Sequence, residues 1–89
     1  MEFTQKMAHR LRKLYSANVM DVGDFIEDSG LPDYIINRYF FYGEYNTIER
    51  EHLCGLARAF YMSPDELYAQ LKGDKPLKGR FGSPLWEDD

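Results

Sequence analysis

The break Ser29-Gly30-Leu31-Pro32 constrains the fold of this chain more than any other feature of its sequence. Glycine adopts the left-handed conformation that closes a helix more readily than other residues, and proline is favoured in the first turn of a helix. Apolar residues recur at helical spacing on both sides of the break. They are Val22, Phe25 and Ile26 before it, and Leu31, Ile35, Ile36, Tyr39 and Phe40 after it. The pattern predicts two short helices joined by a turn, with these residues facing inward.

A further helix is predicted in front of this pair. Met7, Leu11 and Leu14 lie at steps of four and three residues, which places them on one face of a helix from about Thr4 to Ala17. Asp21 is expected to cap the helix that follows, because its side chain is suited to accept a hydrogen bond from an amide of the first turn.

Two more helix starts are predicted behind the pair. Asn46-Thr47-Ile48-Glu49 has the pattern of a capping box, and Ser63-Pro64-Asp65-Glu66 combines a capping serine with proline at the first helical position. Gly43 and Gly73 are the expected ends of the third and fifth helices. No run of residues shows sustained strand alternation. The expected fold class is therefore all-α, with five helices.

The chain is expected to form one domain over residues 1–72, followed by a tail over residues 73–89. Its length of 89 residues suits a single small core, and its 44% of hydrophobic residues are typical of a globular protein. The tail is rich in glycine and proline, which predicts an irregular segment that is flexible or docks on a surface. Phe81, Leu85 and Trp86 are the side chains expected to anchor it.

The compartment expected from the sequence is the cytoplasm. No apolar run reaches the roughly 20 residues of a membrane span, and the polar N-terminus lacks the layout of a secretory signal. The single cysteine, Cys54, has no second cysteine with which to form an internal disulfide.

Several blocks of sequence, in this order and spacing, resemble the Xre/Cro type of phage-repressor-like helix-turn-helix domains. The resemblance covers roughly His9 to Leu71. The blocks are Arg10-Leu11-Arg12-Lys13-Leu14, Val22 to Ile26, Gly30-Leu31, Ile36-Asn37-Arg38-Tyr39 with Gly43, Leu53, Leu56-Ala57-Arg58-Ala59-Phe60 and Ser63-Pro64-Asp65-Glu66-Leu67. The resemblance implies a five-helix lambda-repressor-like domain, with a short irregular C-terminal tail in this chain. It also implies a DNA-binding transcriptional regulator of bacterial or phage type that places its second and third helices on duplex DNA.

The outer side of the third helix holds the residues expected to touch DNA. Asn37 and Arg38 are side-chain types that form paired hydrogen bonds with adenine and guanine, and Tyr34 lies on the same side. Lys6, Arg10 and Lys13 share one face of the first helix, where they either hold the phosphate backbone or form an ordinary solvated surface. In the family the second helix usually opens with Ser/Thr-Gln, and this chain has Asp21-Val22 there.

Charge favours a second interpretation, in which the domain binds a protein. From Met20 to Glu51 the chain carries eight carboxylates against Arg38 and Arg50, a net charge of 2 − 8 = −6. Such a segment opposes the attraction to phosphate on which DNA affinity depends. The alternative function is therefore an antirepressor, modulator or inhibitor that acts through the outer face of the third helix.

Aromatic residues support that alternative. Successive residues of a helix lie about 100° apart around its axis. The four side chains of Tyr39-Phe40-Phe41-Tyr42 would therefore point in directions spread around most of the helix, and cannot all face one core. Phe41, seven residues after Tyr34, is expected to point outward unless the fourth helix or the tail covers it. The side chains expected to bind a protein partner or a second copy of the chain are Tyr34, Phe41, Tyr42, Phe81 and Trp86.

No pattern indicates an enzyme, a cofactor, a metal site or a small-molecule substrate. His9 and His52 are the only histidines, and no zinc-ligand spacing relates them to Cys54. The glycines are scattered, and none forms a phosphate-binding loop in front of a helix. We therefore expect a binding protein that is not an enzyme.

Overall fold

The computed structural model describes residues 1–18, 21–41, 46–78 and 84–85. Within these residues the helices are α1 (Gln5–Asn18), α2 (Val22–Ser29), α3 (Asp33–Phe40), α4 (Arg50–Ala59) and α5 (Pro64–Lys72). Two short strands, β1 (Leu77–Lys78) and β2 (Pro84–Leu85), pair antiparallel. The all-α class, with a short tail after α5, is confirmed. No helix in these ranges is long and apolar enough to cross a membrane.

The break between α2 and α3 forms as the sequence predicted. Asp21 accepts a hydrogen bond from the Asp24 amide at 3.1 Å and so caps α2. Gly30 takes the left-handed conformation, with a φ of 68°, and its amide donates to the Ile26 and Glu27 carbonyls. The buried Ser29 hydroxyl donates to Ile26 and accepts from the Leu31 amide.

An aromatic cluster joins α1, α2, α3 and the end of α4. The Tyr15 ring lies 5.1 Å from Phe25 and 4.9 Å from Phe40, and Phe25 lies 5.1 Å from Phe60. Edge-on arrangements of this kind add to the stability gained by burial. Val22, which was expected on the buried face of α2, is instead 58% exposed. It is the first residue of α2, and the inward face begins one turn later at Phe25.

The predicted capping box at Asn46-Thr47-Ile48-Glu49 is wrong. The helix begins at Arg50, and Glu49 occupies the cap position without a side-chain hydrogen bond. The preceding residues instead pair with the N-terminus, where the Phe3 amide donates to Asn46 and the Ile48 amide donates to Met1. Phe3 and Ile48 are both buried by this pairing, and their burial outweighs the local capping preference.

The end of α3 also differs from the prediction. The helix stops at Phe40, and Phe41 is its C-cap. The predicted stop, Gly43, lies outside the described residues. Of the aromatic run, Tyr39 and Phe40 are helical and buried, and Tyr42 lies outside the described residues.

The last helix is capped at both ends, as predicted. Ser63 accepts a hydrogen bond from the Glu66 amide at 3.1 Å, and Gly73 closes the helix with a φ of 92°. The residues that follow return to the domain, because Leu77 is only 1% exposed and belongs to the core. Asn18 of α1 donates to the Lys78 carbonyl at 3.1 Å.

Candidate interface on the third helix

The solvent-facing side of α3 carries the residues that the sequence placed there. We call Asp33, Tyr34, Asn37, Arg38 and Phe41 the outer face; all five are exposed. Tyr34 is 58% exposed and Phe41 is 71% exposed. The opposite side of the helix holds the buried Ile36, Tyr39 and Phe40. Neither α4 nor any other described element covers the two outer aromatic rings.

Tyr34 and Arg38 form a stacked pair on this face. The guanidinium carbon of Arg38 lies 5.7 Å from the centre of the Tyr34 ring, one helical turn away. This distance is within the range of a cation–π contact. The contact orders two long side chains next to Asn37, and a surface with ordered side chains loses less entropy when it binds a partner.

Carboxylates occupy the starts of both α2 and α3. Asp21 caps α2, and Asp24 and Asp33 lie in the first turns of α2 and α3. The N-terminal end of a helix carries a partial positive charge that attracts phosphate. Here the chain's own carboxylates neutralise that charge, so neither helix start is suited to a DNA phosphate.

The three basic residues of α1 expected on DNA have different surroundings. Lys6 is exposed and Lys13 is half-buried. Arg10 donates from Nη1 to the Leu71 carbonyl at 3.1 Å, at the C-terminal end of α5. Its guanidinium therefore has a structural role between two helices.

Two other arginines bind helix ends in the same way, which the sequence analysis did not predict. Arg12 donates to the Phe40 carbonyl at the end of α3. Arg58 donates to the Ser29 carbonyl at the end of α2, at 3.4 Å. Cations are favoured at the C-terminal ends of helices, where carbonyl groups lack helical partners. These contacts depend on the tertiary fold, so no local sequence pattern reveals them.

A cleft of about 330 Å³ opens between α3 and the start of α4. Its described lining residues are Ile35, Arg38, Tyr39, Thr47, Glu49 and His52. The Tyr39 hydroxyl lies 2.6 Å from His52 Nδ1, and His52 Nε2 lies 3.4 Å from Glu49 Oε2. Residues 47 and 49 reach the cleft because the N-terminus holds the segment 46–48 extended. The cleft was not predicted from the sequence, because residues 46–49 were expected to start a helix that in fact begins at Arg50.

Tyr61 is a second feature that the sequence analysis missed. It follows α4 with a positive φ of 59°, and 86% of its surface is exposed. Its hydroxyl donates to Asp28 Oδ2 at 3.0 Å. The hydrogen bond to Asp28, with the negative charge of that carboxylate, raises the pKa of Tyr61 above its ordinary value of 10.0.

The remaining predicted partner-binding residues, Tyr42, Phe81 and Trp86, lie outside the described residues. Within the part that is described, no group of three or more His, Cys, Asp or Glu side chains is placed to hold a metal ion. No family model, curated protein or solved structure matches the chain.

Proposed function

We propose that this chain is a regulatory helix-turn-helix protein that acts by binding another protein through the outer face. The observation that carries the proposal is the exposure of Tyr34 and Phe41, at 58% and 71%, on one side of α3. Tyrosine and phenylalanine are enriched in protein interfaces, and large aromatic side chains contribute a large share of the binding energy there.

The charge around these two rings favours a protein over DNA. From Asp21 to Phe41 the chain has Arg38 as its one basic side chain. Its carboxylates in the same stretch are Asp21, Asp24, Glu27, Asp28 and Asp33. Each phosphate contact made by a cation releases a counterion and adds affinity for DNA, whereas a carboxylate near phosphate repels it. A partner with a neutral or basic contact surface meets no such penalty, which suits a modulator, antirepressor or inhibitor.

The test is capture of a partner from a lysate of the source cells by immobilised chain, with the two outer aromatic residues varied. We expect the double variant Tyr34→Ala/Phe41→Ser to lose the proteins that the unmodified chain retains. Tyr61→Ala is the matched control, because it removes an exposed ring at another surface. Proteins retained equally by all three forms would contradict the proposal.

DNA binding is the second candidate function, and one observation favours it. Asn37 and Arg38 are adjacent and exposed, and the Tyr34 ring supports the Arg38 guanidinium. These two side-chain types form the paired hydrogen bonds that distinguish adenine and guanine in the major groove.

Duplex DNA binding at two salt concentrations tests this candidate. A DNA-binding regulator is expected to bind random duplex at about 50 mM salt and to lose affinity by orders of magnitude at about 200 mM. Sequence preference would then depend on Asn37 and Arg38, and their alanine variants would lose it. Absence of binding at the lower concentration would remove this candidate.

A further inference from the structure

The cleft between α3 and α4 lies beside the outer face. Arg38 belongs to both, and Ile35 and Tyr39 are the next residues around the helix toward α4. Protein interfaces concentrate their binding energy where a long side chain of one partner fills a pocket of the other. The cleft is placed to be such a pocket.

The chemistry of the lining changes from one element to the other. Half-buried Ile35 provides the accessible apolar surface from α3, and Tyr39 forms the base of the cleft with only 3% of its surface exposed. Glu49, just before α4, provides a carboxylate whose side chain is 73% exposed, while the imidazole of His52 is only 18% exposed. The distance of 3.4 Å between His52 Nε2 and Glu49 Oε2 is too long for a strong hydrogen bond. The Glu49 carboxylate therefore keeps the capacity to accept hydrogen bonds from an incoming donor.

We propose that this cleft binds a lysine or arginine side chain of the protein partner. The aliphatic part of that side chain would lie on Ile35, above the buried Tyr39, and its cationic end would reach Glu49. Long basic side chains combine an apolar stem with a charged tip, which matches a lining of this kind. The net charge of −6 from Met20 to Glu51 also attracts a basic segment.

This inference rests on the proposed function, because the lysine or arginine side chain that enters the cleft belongs to the partner protein. Arg38 also lines the cleft and opposes a cation, but its guanidinium carbon lies 5.7 Å from the Tyr34 ring on the outer face. Glu49 enters the cleft from the segment before α4, on the other side from the α3 residues. The segment of the partner that contacts this cleft is therefore expected to contain lysine or arginine.

The first measurement is a titration of the amide NMR spectrum of the full chain with Nα-acetyl-L-lysine N-methylamide. The matched probe is Nα-acetyl-L-norleucine N-methylamide, which keeps the aliphatic stem and lacks the ammonium group. We expect saturable shifts at residues 47–52 with the lysine derivative. The norleucine derivative should bind more weakly by about fivefold, the upper end for an exposed ion pair. Equal binding of the two, or no saturable shift with the lysine derivative, would overturn the proposal.

A pair of variants locates the charge that is recognised. Glu49→Gln should weaken binding of the lysine derivative by about the same fivefold factor and leave binding of the norleucine derivative unchanged. Glu51→Gln is the control, because Glu51 is an exposed carboxylate of the first turn of α4 and does not line the cleft. Equal weakening by both variants would show a general charge effect and contradict the assignment to Glu49.

The proposed function and the cleft assignment can fail separately. Tyr34→Ala/Phe41→Ser is expected to abolish partner capture while the lysine derivative still binds the cleft. If the titration fails and those variants still lose the partner, the outer face remains the interface and the cleft assignment falls. If the titration succeeds and capture is unaffected by those variants, the outer face is not the interface.

Discussion

Among the residues that the structure describes, Tyr61 has the backbone conformation least suited to its side chain. Its φ of 59° lies in the left-handed region, where a side-chain Cβ crowds the backbone and glycine is normally favoured. The turn depends on this conformation, because the Tyr61 amide donates to Arg58 and the Met62 amide donates to Ala57. These bonds satisfy carbonyl groups at the end of α4. The ring itself is 86% exposed, so packing does not explain its presence.

The cost of this conformation is measurable by comparing two truncations of Tyr61. Tyr61→Gly and Tyr61→Ala both remove the ring and the hydrogen bond to Asp28, so they differ mainly in tolerance of a positive φ. We expect the glycine variant to have the larger free energy of unfolding, by about 1 kcal/mol. Urea denaturation of both variants checks this, and equal stabilities would mean that the turn relaxes to another conformation.

At the scale of elements, α4 lies close to the end of α2 at Gly55. A Cβ at this position would lie 2.7 Å from the Ser29 carbonyl oxygen and 3.0 Å from Leu31 Cγ. The first of these neighbours is backbone, so it cannot move aside as the end of a flexible side chain can. The absence of a side chain at Gly55 therefore sets the distance between the two helices.

Gly55→Ala is expected to lower the free energy of unfolding by about 2 kcal/mol, since a methyl group added to a filled interface forces the helices apart. Gly23→Ala is the control within α2, where the added Cβ meets only the Asp21 side chain, at 3.2 Å. Its effect should stay within about 1 kcal/mol, because alanine is the better helix former. Similar losses in the two variants, measured by urea denaturation, would contradict the close approach at Gly55.

Glu66 connects α5 to the segment that follows it. Its carboxylate oxygens lie 2.6 Å from Lys75 Nζ and 3.3 Å from Lys78 Nζ. The hydrogen bond from Lys75 is the largest influence and, together with Lys78, lowers the pKa of Glu66 below its ordinary value of 4.5. A carboxyl whose pKa is lower in the folded state stabilises the fold above its unfolded pKa. That contribution is lost as the pH falls through the folded pKa.

We therefore expect a pH dependence of stability that is specific to Glu66. The free energy of unfolding of the unmodified chain should fall as the pH decreases below about 4.5. Glu66→Gln should be less stable at neutral pH and should lose less stability in the acid range. Thermal unfolding of the unmodified chain and of Glu66→Gln, measured from neutral pH into the acid range, gives the dependence of stability on pH for each. If stability falls equally with pH in both, Glu66 does not contribute to the stability of the folded state.

The sequence predicted the elements whose signals are local and missed the features that depend on distant contacts. Asp21, Gly30 and Ser63 act on amides or carbonyls a few residues away, so their roles are visible in the sequence. The segment 46–48 was misassigned because its conformation is set by pairing with Met1 and Phe3, more than forty residues earlier. The cleft depends on that pairing and was missed for the same reason. Helical spacing predicted that Tyr34 and Phe41 point outward, and left open whether α4 or the tail covers Phe41, which depends on tertiary contacts.

At the scale of the whole molecule, three arginines of the described residues bind helix ends, while acidic side chains outnumber basic ones on the α2–α3 surface. Arg10, Arg12 and Arg58 donate to the ends of α5, α3 and α2 respectively. An arginine used in this way is restrained by its helix partner and is less available to a phosphate. This use of charge supports the proposed protein partner: these three arginines contact helix ends within the molecule, while Asp21, Asp24, Glu27 and Asp33 are exposed.

The segment that follows α5 is also part of the folded unit. Leu77 is 1% exposed and packs into the core, although it lies beyond the last helix.

Leu77→Ala should lower the free energy of unfolding by about 2–4 kcal/mol, the cost of losing a buried leucine side chain. Lys75→Ala is the control, because it removes a surface contact to Glu66 and leaves the core intact. Urea denaturation would contradict the structural role of Leu77 if both variants lost similar, small amounts. A large loss for Leu77→Ala alone would show that the core extends beyond α5 into the segment that follows it.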